Sequence, residues 1–193
     1  MIIVEPSRWP VIIVANYRTK STALLNSIGH MYKVKKYGEP GAPHLPDRKK
    51  KFLNHFYSGD KNYVVKTMAD QLKNLHELMT LLQSDCFKIK LTRKDILEQI
   101  VSHYISSMTK TWVQHIPTRD SYTVGIDYEL INKSINYILY NNKELENIKI
   151  QFDIITTFEE LGDNIPCTRI YKTTRPKNYN LIKKIIERVY EQR

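Results

Sequence analysis

The stretch that decides the fold is Pro10-Val-Ile-Ile-Val-Ala-Asn-Tyr-Arg-Thr-Lys-Ser-Thr-Ala-Leu-Leu-Asn26. Its unbroken β-branched run, 11–14, is typical of a strand buried on both faces. A helical pattern then places Leu24, Leu25 and Ile28 on one face. The polar loop between them, 17–22, has two cations and three Ser or Thr hydroxyls. Because first-turn N–H groups lack intrahelical partners and the helix dipole favours negative charge, this arrangement predicts a phosphate or sulfate site.

The loop does not match two common phosphate-binding motifs. Lys20-Ser21 fits the end of the P-loop of nucleotide triphosphatases, but Val14 and Thr19 occupy its glycine positions. No hydrophobic strand ends in an Asp that would hold magnesium. The Rossmann fingerprint also fails, because the loop contains no glycine.

The loop resembles the 5′-phosphosulfate loop of sulfotransferases, which reads roughly Pro-Arg/Lys-Ser/Thr-Gly-Ser/Thr-Thr before an apolar helix. Tyr17 replaces the proline of that pattern and Lys20 its glycine. The resemblance implies that this loop binds the 5′-phosphosulfate of 3′-phosphoadenosine 5′-phosphosulfate (PAPS), and that Arg18 stabilises charge on the leaving phosphate oxygen. The residues so assigned are Arg18, Thr19, Lys20, Ser21 and Thr22.

A second stretch, 87–112, resembles the part of sulfotransferases that holds the 3′-phosphate of PAPS. A short strand leads into Thr92-Arg-Lys-Asp95, and an apolar-faced helix follows. Arg93 and Ser102 resemble the Arg and Ser of that family, one residue further apart than is usual, so Lys94 is an alternative to Arg93. The order of motifs is most similar to the NodH-like branch, which includes bacterial and phage enzymes.

The remaining site residues follow from the same resemblance. A base must take the proton of the acceptor hydroxyl, and Glu39 lies where this branch carries a Glu. His44 and His55 are the alternatives. Arg175 and Lys177 lie where sulfotransferases place a late basic loop over the 3′-phosphate, although the family's Arg-Lys-Gly is absent here.

Strands alternate with helices along the chain, which predicts an α/β fold with a central parallel sheet flanked by helices. The resemblance implies that this is the P-loop-like fold of sulfotransferases. Ligands of such sheets bind beyond the carboxyl ends of the strands, where both motifs fall. The stretch 38–50 is irregular and a candidate substrate loop. The predicted strands are 11–16, 63–67, 87–91 and 150–156, and the predicted helices are 21–30, 48–57, 69–83, 95–108, 127–140 and 178–191, the last burying Leu181.

Composition limits the class of protein. A length of 193 residues predicts one domain, 1–193, with 41% hydrophobic residues arguing against disorder. No apolar run is long enough to span a membrane, and the early first strand leaves no room for a signal peptide, so we expect a cytoplasmic protein. Cys86 and Cys167 give no ligand cluster, and we expect no metal.

The net charge of +10 fits an anionic partner but does not choose among anions. The expected function is transfer of a sulfuryl group from PAPS to an acceptor hydroxyl of a glycan, glycolipid or small molecule. A nucleotide or small-molecule kinase is one alternative, and a basic nucleic-acid-binding protein without catalytic activity is another, supported by charge alone. The acceptor and the oligomeric state do not follow from the sequence.

Overall fold

The computed structural model describes residues 5–110, 122–161 and 175–193. Its contacts divide the chain into two compact units, one formed by Met1–Lys94 and Asn141–Thr168 and the other by Asp95–Tyr140 and Arg169–Arg193. The single domain expected from chain length stays a prediction.

The first unit contains a five-stranded sheet that is parallel throughout. The spatial order of its strands is β2-β3-β1-β4-β5, so the quoted strand, β1, is central. This α/β architecture confirms the predicted fold class and is consistent with a P-loop-like fold. The strands are β1 (Val11–Ala15), β2 (Lys35–Gly38), β3 (Tyr63–Met68), β4 (Phe87–Thr92) and β5 (Ile154–Thr157).

Helices follow the strands as the alternating pattern predicts. One face of β1 packs on Leu24, Leu25 and Ile28 of α1, and the other face contacts a cluster containing Phe52 and Leu78. Both faces of the strand are therefore covered, which explains its unbroken apolar run. The helices are α1 (Ser21–Met31), α2 (Pro46–Phe56), α3 (His76–Gln83), α4 (Ile96–Thr109), α5 (Tyr128–Glu146), α6 (Phe158–Leu161) and α7 (Tyr179–Glu191).

Four expectations about individual elements are wrong. Strand β2 is missing from the predicted strands, because its lysines give no apolar run and an edge strand tolerates them. The predicted helix 69–83 is a 3-10 turn, Ala69–Asn74, followed by α3. Strand β5 begins four residues later than predicted, at Ile154. Leu181 is 54% exposed on α7, since Ile182 and Ile186 already fill that helix's buried stripe.

The second unit is helical in its described residues. Within it, Glu98 of α4 accepts a hydrogen bond from Lys183 of α7 at 2.7 Å and another from the Tyr179 hydroxyl. Tyr104 donates its hydroxyl to the carbonyl of Gly125 at 2.7 Å. These hydrogen bonds supplement the packing of α4 against α7.

Candidate functional site

The carboxyl ends of the strands bring the two proposed phosphate motifs to one edge of the sheet. Ala15 of β1 is in register with Leu91 of β4 on one side and with Met68 of β3 on the other. The loop after β1 and Arg93 after β4 therefore leave the sheet side by side. We call this region the carboxyl edge.

The loop between β1 and α1 turns tightly despite having no glycine. Arg18 has φ 63° and Lys20 has φ 57°, the left-handed conformation that glycine adopts most easily. The lysine at the glycine position of the sulfotransferase pattern thus takes a glycine-like backbone conformation. No side chain among the described residues caps the N-terminus of α1, where Lys20 is the capping residue.

Thr19 has a structural use that the sequence did not predict. Its side chain is buried, and its Oγ1 donates to the carbonyl of Asn16 at 2.7 Å, which closes the loop. Asn16 is itself held by a side-chain hydrogen bond to Asn142 and by a bond from its backbone N–H to the carbonyl of Leu91 at 3.4 Å. The loop is therefore fixed to the sheet rather than loosely attached.

Three cations gather around this loop. Arg93 donates from Nη1 to the Arg18 carbonyl at 3.2 Å. The Arg93 guanidinium lies 4.3 Å, and the Lys20 ammonium 4.4 Å, from the ring centroid of Phe158, which begins α6 after β5. Glu159 brings a carboxylate oxygen within 3.8 Å of Arg93 Nε. We call Arg18, Lys20 and Arg93 the cation cluster.

The cation cluster carries an electrostatic cost. Burial lowers the pKa of Arg18, and the nearby charge of Arg93 lowers it further. The positive charges of Arg18 and Arg93 disfavour each other, and Glu159 beside Arg93 offsets this only in part, because the pKa of Arg18 is still lowered. The cluster is therefore suited to an anionic ligand.

The structure distinguishes Arg93 from its alternative, Lys94. The Arg93 side chain is only 10% exposed and faces the loop. Lys94 is largely exposed and pairs with Glu160 at 2.9 Å. The geometry therefore favours Arg93 for a ligand at the carboxyl edge.

A second network at this edge contains the predicted base, Glu39. Its Oε1 lies 2.6 Å from the ammonium of Lys66, which also donates to Thr22 Oγ1 at 2.8 Å. Gln71 donates to the other oxygen of Glu39 at 3.4 Å and to the Tyr17 hydroxyl at 3.1 Å. The structure thus connects Glu39 to the proposed phosphosulfate loop through Lys66.

Charge in this network is nearly balanced. Burial alone would raise the pKa of Glu39, but Lys66, together with Gln71 and Arg48, outweighs burial and lowers it. Burial lowers the pKa of Lys66, which is 3% exposed, and Glu39 offsets part of that effect. Glu39 is therefore ionised at neutral pH, the state that a base requires, although its lowered pKa makes it a weak one.

Of the other predicted residues, Ser21 lies at the carboxyl edge, and Ser102, Arg175 and Lys177 belong to the second unit. Ser21 is buried in the first turn of α1. Ser102 belongs to the second unit, so its pairing with Arg93 stays a prediction. Arg175, also in that unit, stacks on the Tyr179 ring at 4.3 Å and lies 3.7 Å from Glu98. Lys177 donates its backbone N–H to Tyr122 at 2.8 Å.

The alternative bases differ in position. His55 is buried at the amino end of the sheet, where its ring centroid lies 4.9 Å from that of Tyr63, the first residue of β3. His44 is exposed in the segment between β2 and α2. Glu39 is thus the candidate with a described connection to the loop.

The candidate substrate loop, 38–50, is packed at its start, exposed at 43–44 and, contrary to the expected irregular stretch, helical from Pro46 on. Gly41 lies so close to the 3-10 turn that an added Cβ would meet the carbonyl of Gln71 at 2.6 Å. Asn74 donates to the Gly41 carbonyl at 3.2 Å. The segment after β2 therefore fixes Glu39 in place.

The sequence assigned no role to Gln71 or Phe158. For Lys66 it left open whether the side chain faces the site or extends its ammonium to solvent. Lys66 ends a Val-Val run, and a lysine inside a buried strand is a signal that its ammonium has a specific partner. Phe158 directly follows β5 at the carboxyl edge, so its position could have been found from strand order. Gln71 carried no comparable signal.

Comparison with known proteins adds no family. No protein-family model matches the chain, and no curated protein matches it significantly. Across residues 5–110, 122–161 and 175–193, no helix is long and apolar enough to cross a membrane. The same residues contain no group of three or more His, Cys, Asp or Glu side chains placed to hold a metal ion.

Proposed function

We propose that this chain is a cytoplasmic sulfotransferase that moves the sulfuryl group of PAPS to a hydroxyl of a glycan, glycolipid or small-molecule acceptor. The observation that carries the proposal is the contact between Arg93 and the Arg18 loop at the carboxyl edge. Two motifs that resemble the two phosphate sites of one nucleotide thereby meet on adjacent parallel strands.

The proposed reaction uses groups of the first unit. Glu39 removes the proton of the acceptor hydroxyl, and the resulting oxygen attacks the sulfur as the bond from sulfur to the phosphate oxygen breaks. Arg18 stabilises the negative charge that develops on the departing phosphate oxygen. Lys66 keeps Glu39 ionised and bonds to Thr22, which supports a role in positioning both.

The proposed nucleotide site extends to the 3′-phosphate. Arg93 offers a planar fork of donors that suits a phosphate group, and Ser102 offers a hydroxyl. Arg175 and Lys177 are assigned to the same phosphate by their place in the chain. If the double variant Arg93→Ala/Ser102→Ala bound the 3′-phosphorylated nucleotide as tightly as the native protein, this assignment would fail.

The decisive experiment is a calorimetric titration with 3′-phosphoadenosine 5′-phosphate (PAP), alongside ATP and 5′-AMP, without magnesium. We expect PAP to bind with micromolar affinity and 5′-AMP not to bind, because 5′-AMP lacks the 3′-phosphate. Failure of PAP to bind, or a preference for ATP, would overturn the proposal.

A kinase is the second candidate, since Lys20-Ser21 matches the end of the P-loop and the strand order is P-loop-like. Two contacts disfavour it. The lysine of a P-loop reaches the phosphates, whereas the Lys20 ammonium lies over the ring of Phe158. A kinase also needs magnesium beside the loop hydroxyls, and there the positively charged ammonium of Lys66 already bonds to Thr22. Strictly magnesium-dependent binding of ATP would favour the kinase.

A further inference from the structure

A cationic surface covers the β2 edge of the sheet in the first unit. It is formed by strand β2, helix α2 and the segments that flank them, and every cation in it is exposed. The members of this surface, which we call the cationic edge, are Lys33, Lys35, Lys36, Arg48, Lys49, Lys50, Lys51 and Lys61.

The cationic edge concentrates charge. Residues 33–61 contain these eight cations and three carboxylates, a local net charge of +5 that is half of the chain's +10. Among the described residues, only Lys35 of this set has a carboxylate within ion-pair distance, that of Asp60 at 3.6 Å. Adjacent cations without acidic partners repel one another, and a polyanion would relieve that repulsion.

The cationic edge begins beside the proposed base. Arg48 donates from Nη1 to the carbonyl of Gly38 at 3.2 Å, and Gly38 directly precedes Glu39. The next three residues, Lys49, Lys50 and Lys51, carry the charge along α2. A ligand held on this helix would therefore extend to the carboxyl edge where Glu39 lies.

We propose that the cationic edge binds the acceptor and that the acceptor is an anionic glycan, one carrying carboxylate or sulfate groups. This inference rests on the proposed sulfotransferase function and narrows its acceptor class. The lysines attract the acidic groups of the polymer, and one hydroxyl of the bound chain reaches Glu39.

Two features favour a glycan over a nucleic acid. Seven of the eight cations are lysines, whereas bidentate recognition of phosphate favours arginine. Binding of single-stranded nucleic acid also uses exposed rings on which bases stack. In α2 the rings of Phe52 and His55 are buried, and the one strongly exposed ring described beside the lysines, that of Tyr57 after the helix, is held by a hydrogen bond to Glu77, so this surface offers much charge and little area for stacking.

The test measures binding of heparosan oligosaccharides, an unsulfated glycan with a carboxylate on every second sugar, to the full chain in the presence of PAP. Neutral maltooligosaccharides and single-stranded RNA of similar length are the comparison ligands. We expect salt-sensitive binding of heparosan, weaker binding of RNA and no binding of the neutral glycan.

Two triple variants each remove three positive charges, one from the cationic edge and the other from elsewhere on the chain. The triple variant Lys49→Gln/Lys50→Gln/Lys51→Gln should weaken heparosan binding by about tenfold and reduce its salt dependence. Lys143→Gln/Lys149→Gln/Lys184→Gln, which changes three exposed lysines elsewhere, should leave binding nearly unchanged. Thermal unfolding of both variants checks that each remains folded.

Each outcome decides between the two proposals. PAP binding with a preference for the neutral glycan, or equal losses in both triple variants, would overturn the acceptor inference and leave the sulfotransferase standing. Heparosan binding without PAP binding would overturn the sulfotransferase. RNA binding tighter than heparosan binding would mean that the cationic edge is a nucleic-acid surface.

Discussion

The charged side chains are paired differently at the two ends of the central sheet, the amino edge where the strands begin and the carboxyl edge where they end. At the amino edge, Arg8 lies 3.1 Å from Asp85 and bonds to Asp153, so one cation meets two carboxylates. Burial alone would raise the pKa of Asp153, but the Lys88 N–H and Arg8 outweigh it and lower that pKa. At the carboxyl edge, burial and Arg93 lower the pKa of Arg18.

This difference distinguishes charges that stabilise the fold from charges that suit a ligand. At the amino edge, Arg8 pairs with the opposite charges of Asp85 and Asp153. The carboxyl edge has the balanced pair of Lys66 and Glu39 but also the cation cluster, where positive charges outnumber their described acidic partner, and such a cluster is typical of a ligand site. Four measurements test this contrast, in order of decreasing expected effect.

The largest effect is expected from Lys66→Met. It leaves Glu39 without its ammonium partner in a partly buried site, which should lower the free energy of unfolding by about 3 kcal/mol. At the amino edge, the ammonium of Lys88 donates to the carbonyls of Ser84 and Cys86. Lys88→Met should lower the free energy of unfolding by less than about 1 kcal/mol, because water can hydrate those carbonyls. Urea unfolding measures both.

A double variant tests whether the loss comes from the stranded carboxylate. Lys66→Met/Glu39→Gln should be more stable than Lys66→Met, since the neutral amide costs less to bury. Equal stability of the single and double variants would mean that the Lys66 contact with Thr22, rather than Glu39, accounts for the loss.

The next effect concerns the affinity for PAP. Arg93→Met keeps an apolar chain against Phe158 and removes the guanidinium, so PAP binding should weaken by about tenfold to hundredfold. Arg8→Met removes the cation of the amino edge and should leave PAP affinity unchanged. Calorimetry on both variants checks the contrast, and equal losses would show that general charge, not the cation cluster, drives binding.

A smaller effect is expected from Lys20→Gly. Glycine relieves the left-handed backbone, so the free energy of unfolding should rise by up to about 1 kcal/mol. Lys110→Gly is a matched control, since Lys110 has φ 54° at the end of α4. Both should be stabilised in urea unfolding, but only Lys20→Gly should weaken PAP binding, by up to about fivefold. Unchanged PAP affinity would remove Lys20 from the site.

The smallest effect is a pH dependence from Glu39. Its pKa is lowered from 4.5 in the folded state, so its stabilising contribution is complete above that pH and is lost as the pH falls through the folded value. The stability difference between the native protein and Glu39→Gln should therefore shrink below pH 4.5. Urea unfolding at several pH values measures it, and a constant difference would contradict the assigned pKa.

The sequence predicted most of the sheet but not its edge. β1 and β3 carry apolar runs and β4 alternates apolar with polar residues, so their positions could be predicted within a residue. β2 and β5 are short edge strands with little apolar signal, and one was missed and the other misplaced. At the site, the resemblance to sulfotransferase motifs predicted Arg18 and Arg93, whereas the partners of Glu39 depend on side chains distant in the chain.

The sequence by itself determined the local features of this protein: a buried strand, a polar loop without glycine and a helix that begins at Ser21. Local composition suffices for these because burial and helix initiation depend on near neighbours. Only the tertiary structure decided that Arg93 meets the Arg18 loop and that Lys66 joins Glu39 to Thr22. Those contacts depend on strand order and register, which bring residues separated by 75 and 27 positions together.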